Sequence, residues 1–222
     1  SERPVDHEVF DATYGWELHH LLNAIAQGKE PVAKIDDYLA KQRSEYPANA
    51  FRMYFTSNHD ENSWNGTEFE RMGEDHRAAF VLASTLVNSF PLLYTGQEAG
   101  LDKRLRFFQK DTVSWADQSL APFYRTLFEL KASTPALWNG AEGGAQAKLA
   151  GTGGDAVYAF TRDKGESHVV VAVNFGDAPV TFAYTGLGAP GTYRDAFTGA
   201  SVELAASGVI ALPAHGFMVY RR

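Results

Sequence analysis

Between residues 7 and 137, short apolar runs alternate with longer stretches of helical period, and that order leaves few folds open. The run "HEVFDATY" (7–14) reads as a strand. It leads into "GWELHHLLNAIAQGK" (15–29), where Leu18, Leu21, Leu22 and Ile25 form an apolar stripe while Trp16, His20 and Asn23 share another face. "PVAKIDDYLAKQRSEYP" (31–47) predicts a second helix, with Pro31 near its first turn and Pro47 beyond its end. "AFRMYFTS" (50–57) reads as a buried strand and "EDHRAAFVLASTLVNSF" (74–90) as a helix whose early acids complement its dipole. "PLLYTG" (91–96) gives a third strand, and "APFYRTLFELKASTPAL" (121–137) a last helix between Pro122 and Pro135. Strand and helix in turn predict parallel strands joined by crossover helices.

The pattern changes near residue 140. Of the chain's 20 glycines, 14 fall in residues 140–222, between short β-branched runs, and no convincing helix is left there. "AVYAFTR" (156–162), "HVVVAVNF" (168–175), "PVTFAYT" (179–185), "GTYRDAF" (191–197) and "GFMVYRR" (216–222) read as strands separated by turns such as "RDKGES" and "GDAP". Short alternating strands at this spacing predict a small antiparallel sandwich. The expected organisation is therefore α/β over 1–140 followed by all-β over 141–222.

Composition narrows the function. Twenty Lys and Arg against 27 Asp and Glu give a net charge of −7 with no long basic run, so nucleic acid is a poor partner. With no cysteine, disulfides, thiol catalysis and Cys-ligated zinc are all excluded, while the compartment stays open. No stretch approaches the about 20 apolar residues that span a bilayer. The opening "SERPVDHEVF" is unlike a signal peptide or a natural start, which suggests a processed product or an engineered piece. His7, His19 and His20 make no i, i+4 pair on one helix, so no metal site is expected.

The most informative stretch is "FTSNHDEN" (55–62). Polar groups gather where a buried strand ends, and in parallel α/β folds the carboxyl ends of strands carry the site. Asp60 brings a charge and two acceptor oxygens, His59 a donor near neutral pH, and Asn58 both donor and acceptor. That set suits a polyhydroxylated ligand, and Trp64 adds a flat apolar face on which a sugar ring can stack. On the residues alone, a helix cap followed by a solvated loop accounts for the stretch equally well.

"FTSNHDEN" also resembles the fourth conserved region of the α-amylase family of glycoside hydrolases. "PLLYTGQEAG" (91–100) is similar to that family's eighth barrel strand and the turn after it, in the family's order. "KRLRFFQKDTVSW" (103–115), "TPALWNG" (134–140) and the all-β tail extend the resemblance over nearly the whole chain. It implies a partial TIM (β/α)8 barrel of about three β/α units over 1–140, with the family's C-terminal β-sandwich domain over 141–222. It implies an α-1,4-glucan substrate cleaved or transferred with retention. Asp60 would match the acid that hydrogen-bonds the sugar at the cleaved bond, and His59 its partner. Asn58 would support them and Trp64 would contact a sugar subsite. Glu98 is expected to hold the turn after the third strand by accepting local backbone bonds, and Asp11 to be a barrel or capping residue.

A retaining mechanism needs two further carboxylates, about 5–5.5 Å apart. In the family they follow the fourth and fifth strands, upstream of this chain, so the chain alone is expected to be inactive. No cofactor is implied here, and calcium belongs to upstream segments of a full-length parent. Three parallel strands with open edges predict self-association or disorder before residue 50. A non-catalytic carbohydrate-binding or structural module is the competing expectation.

Overall fold

The computed structural model describes residues 3–222. Its first part is built on a parallel sheet of β1 (Ala12–Tyr14), β2 (Phe51–Tyr54) and β3 (Ser89–Pro91), in that spatial order. Helix α1 (Trp16–Ala26) and α2 (Lys34–Glu45) connect β1 to β2. The short α3 (Glu68–Met72) and α4 (His76–Thr85) connect β2 to β3, and α5 (Ala121–Ser133) follows. In β2 the burial alternates, with Arg52 and Tyr54 covered and Phe51 and Met53 half-exposed. Tyr54 faces the helices, where the Tyr38 hydroxyl of α2 meets it at 3.0 Å. Among the described strands, β1 and β3 pair only with β2, so each leaves one edge bare.

Two expectations need correction here. Residues 4–8 form a single 3-10 turn, Pro4–Glu8, so only Ala12–Tyr14 of the first expected strand is extended. Asp11 therefore precedes β1, and its carbonyl accepts the Phe51 amide at the amino end of the sheet. The third strand also comes earlier than expected. Helix α4 ends at Thr85, Asn88 turns the chain at φ 58, and Ser89–Pro91 pair with Arg52–Tyr54. One further bond, Leu92 N–H to the Tyr54 carbonyl, closes the ladder before the chain turns away.

The second part is a β-sandwich. Its larger sheet contains β4 (Ala145–Lys148), β6 (Val157–Lys164), β7 (Ser167–Asn174), β9 (Gly191–Asp195), β10 (Ser201–Leu204) and β12 (Phe217–Arg221). Its smaller sheet contains β5 (Ala150–Thr152), β8 (Val180–Thr185) and β11 (Ser207–Leu212). The spatial orders are β10-β9-β12-β7-β6-β4 and β11-β8-β5, with all pairs antiparallel.

Strand β7 is covered on both faces, which is why "HVVVAVNF" lacks polar alternation. Val170 and Ala172 point to the smaller sheet and join Phe182, Ile210 and Met218. Val169, Val171 and Val173 point the other way and share a core with Leu22, Phe80, Leu127, Phe160 and Val219. That second core runs without interruption from the helices into the sandwich.

Arg162 ties the same seam with polar contacts. It is fully buried, and its guanidinium donates to the carbonyls of Gly144, Thr85 and Trp138 at 3.1, 2.9 and 3.0 Å. Burial draws its pKa down to about 10. Asp36 of α2 adds a second tie, accepting from the Tyr158 hydroxyl at 3.0 Å and pairing with Lys148.

Candidate active site at the carboxyl end of β2

The chain leaves β2 through Phe55, Thr56 and Ser57, all buried, and then turns into a single π-helical turn, Glu61–Asn65. Asn58 sets that turn. It is 1% exposed, and its side-chain oxygen accepts the Glu61 backbone N–H at 2.8 Å. Its side-chain nitrogen is buried without a hydrogen-bond partner among the described residues. The two residues after it point outward: the side chains of His59 and Asp60 are 58% and 43% exposed, with His59 Nε2 3.7 Å from Asp60 Oδ2. Trp64, 57% exposed, lies on the same turn.

Glu61 and Asn62 point inward. Glu61 Oε2 lies 3.0 Å from His19 Nε2 and 4.0 Å from the Arg71 guanidinium, while Oε1 accepts from Asn65 at 2.9 Å. Burial works against ionising this carboxyl, but the His19 bond and charge, with Asn65 and Arg71, outweigh it and hold the pKa near 2. Burial pushes the His19 imidazole down, against the Glu61 hydrogen bond. Asn62 is 2% exposed and latches the segment after β3: its amide donates to the Lys103 carbonyl at 3.1 Å and accepts the Leu105 N–H at 2.8 Å.

That latched segment brings two more aromatics to the turn. The Phe107 ring lies 5.1 Å from Trp64, 5.9 Å from His59 and 4.8 Å from Phe108. Phe108 is 80% exposed. A cluster of exposed aromatic rings, inclined to one another, thus stands beside the His59–Asp60 pair.

Below the turn lies a buried polar layer that the residue pattern does not reveal. Glu68 accepts from Thr56 Oγ1 at 2.9 Å, Gln97 Nε2 at 2.6 Å and the Tyr124 hydroxyl at 3.2 Å. Burial, with Glu68 beside it, raises the Tyr124 pKa strongly. Arg71 donates to the carbonyls of Thr56 and Gly66 and to Asn23. A capping box, Thr67 with Glu70, opens α3 beside this layer.

The turn after β3 is held by Gln97. Its side-chain oxygen accepts the Tyr94 N–H at 2.7 Å, which is the task expected of Glu98. Glu98 instead has one carboxylate oxygen buried without a hydrogen-bond partner among the described residues. Glu17 at the start of α1 pairs with Lys41 at 2.9 Å. Among the described residues, no group of three or more His, Asp or Glu is arranged to hold a metal ion, and no helix is long and apolar enough to cross a membrane.

Consecutive parallel β/α units lead into an antiparallel sandwich, the arrangement of the last part of a (β/α)8 barrel followed by a β-domain, with polar and aromatic side chains at the carboxyl end of a central strand. The family it resembles is that of the α-amylases. Residues 151–220 match the α-amylase C-terminal all-beta domain. Alpha-amylase 2 of Dictyoglomus thermophilum is 26% identical over 207 residues, which are 86% of this chain and 34% of that protein. In structure, the noncanonic maltogenic α-amylase AmyB of Thermotoga neapolitana aligns with a TM-score of 0.81 at 17% identity, over 100% of this chain and 53% of that one. AmyP, solved in complex with maltose, aligns with a TM-score of 0.69 at 15% identity, over 96% of this chain and 50% of that one. The chain thus spans about a third of the curated relative's length and about half of these solved structures.

Proposed function

We propose that this chain contributes the transition-state-bracing side of an α-amylase-type active site that acts on α-1,4-glucans with retention of configuration. The observation that carries the reading is the outward pair His59–Asp60 on a turn whose Asn58, Glu61 and Asn62 side chains are engaged within the protein. In such a reaction the sugar ring distorts towards an oxocarbenium-like state, and hydrogen bonds to its hydroxyls strengthen as charge develops. The Asp60 carboxylate would accept from those hydroxyls and offset the positive charge, while His59 would donate to a neighbouring hydroxyl. Trp64, with Phe107 beside it, would stack on an adjacent ring. Asn58 holds the backbone that presents the pair.

No second carboxylate pair suited to nucleophile and acid/base duty is identified in this sequence, so the chain by itself is proposed to be inactive. Losing either group forfeits the covalent intermediate or protonation of the leaving group. Two measurements test the reading together. Maltotriose should bind the 222-residue chain weakly, and Asp60→Asn or Trp64→Ala should each weaken it about tenfold or more. Soluble starch should not be turned over. Turnover near that of a complete enzyme, or maltotriose binding indifferent to both substitutions, would reject it.

The exposed cluster of Trp64, Phe107 and Phe108 favours a second reading, a non-catalytic carbohydrate-binding module. Binding that survives Asp60→Asn but is lost with the aromatics would select it.

A further inference from the structure

Where the chain leaves α5 and meets the larger sheet of the sandwich, a groove of about 780 Å3 opens on elements other than those carrying Asp60. Lys164, Arg194, Arg221 and Arg222 border it, and Glu166 brings the one side-chain carboxylate among its lining residues. In a chain of net charge −7, such a concentration of cations runs against the average surface.

The sheet itself forces two of them together. Arg194 of β9 and Arg221 of β12 are directly opposed partners in an antiparallel pair, so their side chains leave the same face side by side. Like charges in that position repel and weaken a sheet. Among the described residues, no side-chain carboxylate pairs with either. The Arg194 side chain makes one long contact, 3.5 Å to the Gly199 carbonyl, and the Arg221 side chain has no hydrogen bond or ion pair among the described residues. Lys164 and Arg222 donate to neutral carbonyls, those of Ala141 and Pro190. Thr134, also in the lining, is 4% exposed, and its hydroxyl is buried with no hydrogen-bond partner among the described residues. An unpaired buried hydroxyl and an unneutralised cationic pair are both costs that one compact anion would remove.

We propose that this groove binds a phosphoryl oxyanion, either free or as the phosphate ester of a sugar. Arg194 and Arg221 would grip its oxygens with their paired N–H groups, the geometry for which guanidinium suits phosphate better than ammonium does. Lys164 and Arg222 would add charge at the rim. The proposal is independent of the role given to Asp60.

Calorimetric titration of the 222-residue chain tests it, with pyrophosphate, inorganic phosphate, glucose 6-phosphate and uncharged glucose as probes. Pyrophosphate should bind saturably at low ionic strength and more weakly at about 0.15 M salt. Arg194→Gln and Arg221→Gln should each weaken it about tenfold, as expected when one charged hydrogen-bond donor is lost. In anion-free buffer both variants should melt at or above the unsubstituted chain, since the repulsion is gone, while pyrophosphate should raise the melting temperature of the unsubstituted chain more than that of either variant. Glucose 6-phosphate binding with glucose silent assigns the site to a sugar phosphate, and binding of the inorganic anions alone assigns it to free phosphate. Absence of saturable binding of every anion, affinity unchanged in both variants, or variants that melt well below the unsubstituted chain without anion would overturn the proposal.

Discussion

Five neighbouring polar residues, Asn58 to Asn62, are divided by one turn into two outward and three inward side chains. Glu61 is the most consequential of the inward three, because it is an ionised carboxylate at 6% exposure. Its folded pKa near 2 lies below the ordinary 4.5, so the unfolded chain takes up a proton first as pH falls. The stability it supplies is complete above pH 4.5 and disappears as pH drops towards 2. Glu61→Gln should therefore lower stability at neutral pH and flatten the stability profile between about pH 4.5 and 2, measured by urea unfolding at stepped pH. A variant profile as steep as the original in that window would assign the acid lability elsewhere. The polar character of this stretch was legible in the sequence, and so was its place after a strand. Which residues turn inward was not, because His19 and Arg71, which hold Glu61, come from other elements and only the fold brings them near.

At the level of elements, short strands rely on what they pack against. Gly15 continues the ladder from β1 by donating to the Met53 carbonyl at 2.8 Å, and a Cβ there would come within 2.5 Å of the Tyr54 ring. Tyr54 is itself 1% exposed and cannot swing into solvent cheaply. Gly15→Ala should thus destabilise by about 1–3 kcal/mol through overpacking, read from the denaturation midpoint.

Asn62 offers a different test, because it latches one loop to another. Asn62→Ala leaves the Leu105 amide and the Lys103 carbonyl without their partner, and it should speed hydrogen exchange at Leu105 and its neighbours while α1 and α4 stay protected. Uniform acceleration across the molecule would mean that the residue serves global stability instead.

Long helices and β-branched strands were readable because period and composition agree there. Strands β4 and β5, "AQAK" and "AGT", were not, because their residues have little intrinsic strand preference and only pairing with β6 and β8 makes them extended. Strand β11 was also passed over, although its burial alternates as Ile210 and Leu212 turn inward.

Over the whole molecule, the bare outer edges of β1 and β3 are the main liability of the parallel sheet. The isolated chain is expected to self-associate through them, so light scattering should give a mass above 24.4 kDa that rises with concentration. A concentration-independent monomer would show that the edges are protected by another means. Arg162 sets the coupling between the two parts. Arg162→Met strands three carbonyls that it now satisfies, and it should cost about 3 kcal/mol or more. If the seam works as the contacts imply, melting should remain a single transition at a lower temperature.

Phe160, Val171 and Val219 project from the sandwich into the interior built by α1, α4 and α5. A β-domain transplanted from a distant relative would therefore have to arrive with side chains of matching volume at those three places, whatever the quality of its own fold. Recombination in nature or in the laboratory should succeed when the crossover lies before α1 and the helices travel with the sandwich. Crossovers in the linker after α5, which looks like the obvious cutting point, should yield chimaeras that express poorly.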